Sequence, residues 1–138
     1  MRAKQYYEKG QTPYTPAVSA LFALQEGLNM ILEEGLQNVF ERHKEIADLT
    51  RKEAKKIELY LFADERFASN TVTAVNIPPG IDGKQFISTL KDRYGVEVAG
   101  GQGELAGKIF RIGHLGYVTE KDILDAIRAI HKTLLDLR

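Results

Sequence analysis

The sequence predicts an α+β fold, a small, mainly antiparallel sheet covered on one face by helices. Three observations carry this reading. Apolar residues recur at three- and four-residue spacing through residues 18–57, short β-branched runs begin only after residue 58, and a last helical period closes the chain. Segregated in the order two helices, two strands, helix, two strands, helix, such elements pack as layers rather than as repeating βαβ units.

Residues 1–16 read as a polar lead-in with a proline-flanked segment, and residues 17–138 as a single α+β domain. Within the lead-in, Tyr6-Tyr7-Glu8-Lys9 reads as the tail of a helix whose beginning is missing, and the prolines of Thr12-Pro13-Tyr14-Thr15-Pro16 forbid regular helix. Val18, Leu21, Phe22, Leu24, Leu28, Ile31 and Leu32 then form a broad apolar helical face, which Gly35 interrupts. A second, longer helix follows from Leu36, Val39, Phe40, His43, Ala47, Thr50, Ala54 and Ile57. The charges on its other face, Arg42, Asp48 and Arg51 among them, read as a solvated surface.

Leu59, Leu61 and Phe62 suggest a short strand, and residues 71–77 a better one rich in β-branched residues, stopped by Pro78-Pro79-Gly80. Residues 82–93 place Phe86, Ile87 and Leu90 on one side of a helix. Tyr94-Gly95 turns the chain into a third strand at 96–99, and a glycine-rich loop, 100–107, leads into a fourth at 108–113. Thr119 and Asp122 have the spacing of a capping box, ahead of a last helix that must bury Ile123, Leu124, Ile127, Ile130, Leu134 and Leu137.

Composition narrows the function classes. With 43% apolar and 28% charged residues, the 138-residue chain has the balance of a folded domain. Nineteen basic residues against nineteen acidic ones leave no positive field for nucleic acid, and the absence of cysteine excludes disulfides, thiolate metal sites and thiol nucleophiles. Three scattered histidines support metal chemistry weakly. No secretory signal and no apolar run of the ~18 residues that a membrane helix needs is present, so the expectation is a cytoplasmic protein with no membrane partner.

Pieces of a binding site stand out. In the loop, Gly101, Gly103 and Ala106 match the spacing of a dinucleotide fingerprint, but a strand follows where that motif requires a helix. The loop reads instead as a flexible hairpin connection, or as one whose missing side chains let a ligand approach the backbone at Gly100 and Gly101. Arg111 is the most informative residue. Alternation sets Ile109 and Arg111 on one face of their strand and Phe110 and Ile112 on the other, and a guanidinium held on a strand suits a carboxylate clamp. Its ordinary alternative is a surface arginine paired with Glu97. The hydroxyls of Thr12, Tyr14 and Thr15, ahead of a helix start, suit an oxyanion or simple capping. His114, in the turn beside Arg111, is placed to line a pocket; His43 reads as a packed histidine and His131 as surface.

These residues resemble a family. Val18-Ser19-Ala20-Leu21-Phe22-Ala23-Leu24-Gln25-Glu26-Gly27-Leu28 after the proline-flanked threonine, Thr71-Val72-Thr73-Ala74-Val75, Tyr94-Gly95-Val96-Glu97-Val98-Ala99-Gly100-Gly101-Gln102-Gly103 and Gly107-Lys108-Ile109-Phe110-Arg111-Ile112-Gly113-His114-Leu115-Gly116 resemble, in order, class V pyridoxal-phosphate aminotransferases of the alanine–glyoxylate/serine–pyruvate type. The resemblance implies the carboxy-terminal small domain of a fold-type I enzyme that moves an amino group between a small amino acid and a 2-oxo acid. It implies that Arg111 binds the substrate carboxylate and that Thr15 contributes to the cofactor phosphate site of the partner subunit in a homodimer. Where the family often has an aromatic hydroxyl three residues before that threonine, this chain has Thr12. None of its eleven lysines lies in a context resembling the cofactor-binding lysine, so the missing large domain is expected to carry that residue and the chain alone to be inactive. The alternative is a free-standing carboxylate-binding or dimerisation module.

Overall fold

The computed structural model describes residues 2–138; Met1, the first residue of the lead-in, lies outside the described residues. The chain divides into two compact units, Met1–Val39 and Phe40–Arg138. In the first, helix α1 (Arg2–Tyr7) supplies the helix tail read from Tyr6 and Tyr7, and α2 (Val18–Glu34) follows the proline segment. Gly35, at φ 86°, ends α2 with its amide on the Ile31 carbonyl. No residue of α2 is buried. The boundary between the units falls inside α3 (Leu36–Lys56), later than residue 16.

The second unit is built on one sheet of three antiparallel strands, β1 (Val72–Asn76), β2 (Ala99–Gly100) and β3 (Ile109–Gly113), in the order β1-β3-β2. Alternation along β3 decides what each face does. Phe110 and Ile112 enter the core with Val75 of β1, and that face is covered by Ile46 and Ala54 of α3, Phe86 and Leu90 of α4 (Gly83–Tyr94), and Ile123, Ile127 and Ile130 of α5 (Glu120–Asp136). Helices on one face of a small antiparallel sheet are what the sequence predicts. At the centre, the rings of Phe86 and Phe110 lie 4.9 Å apart at 47°, a tilted contact that aromatic quadrupoles favour.

The helix ends follow local chemistry. Asp82 caps α4 by accepting from Gln85 N at 2.7 Å, and Gly95, in the left-handed region at φ 66°, closes it. Thr119 and Asp122 form the predicted capping box of α5.

Two predicted strands are shorter than their sequence suggests. Leu59 spends its amide on the Ala54 carbonyl at the end of α3, and the Asp64-capped turn Glu65–Phe67 begins soon after, which leaves a single bridge between Leu61 and Val75. Of the strand expected at 96–99, only Ala99 joins the sheet, extended by Gly100. Val96 N is taken by the Leu90 carbonyl, and Val96 and Val98 are held by packing against the core instead.

Phe110 is fully buried where α4 meets the central strand. Phe110→Ala is expected to lower the unfolding free energy by about 3–5 kcal/mol, through lost transfer energy plus a cavity. Urea denaturation followed by circular dichroism measures this, and a loss below about 1 kcal/mol would mean that the core does not centre on this ring.

Candidate functional site

Central position makes β3 rigid, since it is hydrogen-bonded on both edges. Arg111 stands opposite Ala74 on β1 and Ala99 on β2. Residues directly opposite in antiparallel strands share a face, so two methyl groups flank the guanidinium stem and leave room above it. The Gly100 carbonyl accepts from Arg111 Nε at 3.2 Å and from Nη2 at 2.9 Å. One side edge of the guanidinium is thereby closed on a backbone oxygen. Of its five N–H bonds, the three outside that edge remain, among them the parallel pair at the tip, one on Nη1 and one on Nη2.

The expected alternative partner is engaged elsewhere, because Glu97 pairs with Lys91 at 2.9 Å. Among the described residues no carboxylate pairs with Arg111. A half-buried cation with two fork donors available suits a planar carboxylate ligand.

Gly100 and Gly101 do sit beside Arg111, but their loop is not a loose connection. Gly101 N donates to Ile109 O at 3.0 Å, and the 3-10 turn Gly103–Leu105 folds back over the glycines. A Cβ on Gly101 would lie 2.0 Å from the Leu105 carbonyl oxygen. The missing side chain of Gly101 admits the chain's own backbone.

His114 does not share the Arg111 face. It continues the alternation of Ile112 onto the core side, where it is 1% exposed and its Nε2 meets Thr73 Oγ1 at 2.9 Å. Its Nδ1 is buried and finds no partner in hydrogen-bonding geometry. Burial is the main influence holding the imidazole below its usual pKa, and the Arg51 and His43 charges act in the same direction while the Asn70 backbone opposes them. The expectation that His114 lines a pocket with Arg111 is therefore corrected.

Arg51 was legible only as part of a charged helix face, yet it is 8% exposed and holds Ser69 O at 3.1 Å and Asp48 at 2.7 Å. His43 accepts from Gly116 N at 3.1 Å, consistent with a packed role, and Arg42 Nη1 donates to Gly116 O. His131 is exposed on α5, as read.

Thr12, Tyr14 and Thr15 belong to the other unit, on an exposed segment ahead of α2. The N-cap residue of that helix, Ala17, makes no side-chain cap, and its first turn holds no acidic residue. Hydroxyls beside an uncapped, acid-free helix start fit a phosphate.

No family model matches the chain. An uncharacterized aminotransferase of Methanocaldococcus jannaschii is 45% identical to it over 134 residues, 97% of this chain and 35% of that protein. The serine–glyoxylate aminotransferase of Arabidopsis thaliana is 38% identical over 135 residues, 96% of this chain and 34% of the relative. The crystal structure of the ureidoglycine–glyoxylate aminotransferase of Bacillus subtilis superposes with a TM-score of 0.90 at 36% identity, covering 99% of this chain and 36% of that one. The chain thus spans about a third of the length of the curated relatives it matches.

Neutral in the folded core and free to protonate when unfolded, His114 links stability to pH. Its folded pKa is depressed, so its contribution is fully present above the unfolded value of about 6.5 and is lost as pH falls from there toward the folded value. Denaturation midpoints between pH 7 and 5 are expected to show this loss, with a slope of at most about 1.4 kcal/mol per pH unit. His114→Gln is expected to remove that component; equal slopes in both proteins would assign the loss to other groups.

Proposed function

We propose that this chain, which belongs to the class V aminotransferases as a piece with the fold of their small domain, supplies the substrate-carboxylate clamp of a pyridoxal-phosphate-dependent transaminase through Arg111. The observation that carries this is the arginine's setting: a rigid central strand, flanking alanines, no paired carboxylate, and a fork tip left available beside the Gly100 anchor. The substrates on this reading are a small amino acid of the alanine or serine type and a 2-oxo acid such as glyoxylate or pyruvate. The relatives named for serine and ureidoglycine with glyoxylate support that class.

Both substrates carry a carboxylate next to the reacting carbon, so one clamp serves both half-reactions. Two parallel hydrogen bonds to Arg111 fix the plane of that group, and a positioned substrate reacts faster than a loosely held one. When bound, pyridoxal phosphate supplies the electron sink for breaking bonds at that carbon. Thr15, with Thr12, Tyr14 and the first amides of α2, would hold its phosphate.

The lysine that binds the cofactor belongs, on this reading, to the large domain. That domain and a second subunit are the partners of this chain, in a cytoplasmic homodimer. The exposed apolar positions of α2, including Leu21, Phe22 and Leu28, support a covering partner.

In the complete enzyme, Arg111→Ala is expected to raise KM for amino and oxo acids roughly 10- to 100-fold, the loss of charge-assisted hydrogen bonds, with cofactor absorbance unchanged. Steady-state kinetics checks this, and an unchanged KM would rule out the clamp. Thr15→Ala is expected to weaken cofactor retention during dialysis while sparing KM. The 138-residue chain with added cofactor is expected to show no transamination; activity there would mean that it contains the cofactor-binding lysine.

A further inference from the structure

The grip on Arg111 has a support of its own. What turns the fork is the peptide between Gly100 and Gly101, whose carbonyl takes the Nε and Nη2 donors. That peptide is fixed on one side by the bond from Gly101 N to Ile109 O at 3.0 Å. On the other side it lies against backbone. A Cβ on Gly101 would come within 2.0 Å of the Leu105 carbonyl oxygen, 2.6 Å of its carbon and 2.9 Å of Ile109 Cγ1.

Leu105 cannot swing aside, because its amide donates to Gln102 O and its carbonyl accepts from Lys108 N, both at 3.0 Å. Any side chain at 101 must therefore move the peptide that holds the arginine or break the turn. Gly100 differs: a Cβ there meets only Ile87 Cδ1 at 3.1 Å, the far end of a flexible side chain. Neither glycine has the positive φ that would favour glycine for conformational reasons. Close approach alone demands glycine at 101.

We propose that Gly101 is a positioning residue: its missing side chain lets the Leu105 turn seat the Gly100 carbonyl against the side edge of Arg111, leaving the tip of the fork for the substrate carboxylate. This rests on Arg111 being the clamp. It adds that the carboxylate is taken end-on, by Nη1 and Nη2, because the side edge is occupied.

The test uses the complete holoenzyme with glyoxylate as the oxo acid and Gly101→Ala, Glu104→Ala and Arg111→Ala as variants. Gly101→Ala is expected to raise KM for glyoxylate about 10- to 100-fold, as a misplaced positioning group does, with kcat within about threefold and cofactor absorbance unchanged. Glu104→Ala, which removes an exposed side chain from the same turn, is expected to stay within about twofold of the parent. A KM near the parent value in folded Gly101→Ala, while Arg111→Ala raises it, overturns the proposal and leaves the clamp standing. An unchanged KM in Arg111→Ala removes the clamp and the proposal with it.

A crystal structure of the unmutated holoenzyme soaked with glyoxylate decides the matter without relying on the folding of a variant. Nε and Nη2 on Gly100 O, with Nη1 and Nη2 on the carboxylate, is the expected arrangement. A carboxylate on the Nε edge, with the Gly100 contact broken, overturns it.

Discussion

The pleat of β3 is the constraint on which the rest of the molecule depends. Successive side chains leave a strand on opposite faces, so burying Phe110 and Ile112 beneath α3, α4 and α5 sends Arg111 to the other side. A slip of one residue would exchange the two faces entirely. Burial of an aromatic or branched side chain is worth about 1.5–3 kcal/mol, against 1 kcal/mol or less for an exposed ion pair, so the core sets the register and the arginine follows. The same strand that anchors the hydrophobic core thereby aims a cation away from it.

Polar contacts then fix one end of the β1–β3 pair. Arg51 on α3 holds the Ser69 carbonyl just before β1, while His43 and Arg42 on the same helix hold the amide and carbonyl of Gly116 just after β3. His114 and Thr73 join the two strands from within the core. One helix thus grips both strands at the same end of the ladder, where Val72 faces Gly113, which limits how far that end of the strand bearing Arg111 can move.

Elements with a strong period or a local cap were legible in the sequence. The helices around Phe86 and Ile127, the Thr119 cap, the break at Gly35 and the alternation through Arg111 depend on residues close together in the chain. What the sequence concealed depends on residues far apart. The strands at 59–62 and 96–99 are curtailed because helix ends claim their amides. Arg51 has the same local setting as its solvated neighbours, and only the distant Ser69 carbonyl distinguishes it. His114 stood next to a turn and invited a pocket reading, although counting the pleat one step past Gly113 would have sent it inward. Glycine spacing at 100–107 suggested looseness or a ligand, whereas the space left by Gly101 is filled by Leu105 of the same loop.

The apolar content of the chain also has to be divided by place. A composition of 43% apolar residues reads as material for a core, yet α2 leaves Val18, Leu21, Phe22, Leu24, Leu28, Met30, Ile31 and Leu32 all exposed. Helices gain most of their stability from packing an apolar face rather than from propensity, and contiguous apolar surface on a soluble protein marks a contact. The relatives are about three times as long as this chain, so in them most of the polypeptide lies outside the matched third. On the proposed reading, the broad face of α2 is part of a larger enzyme's interior rather than a failure of amphipathic design. The core of residues 40–138 aims Arg111, and α2 carries the apolar surface that, on the proposed reading, the rest of the enzyme covers.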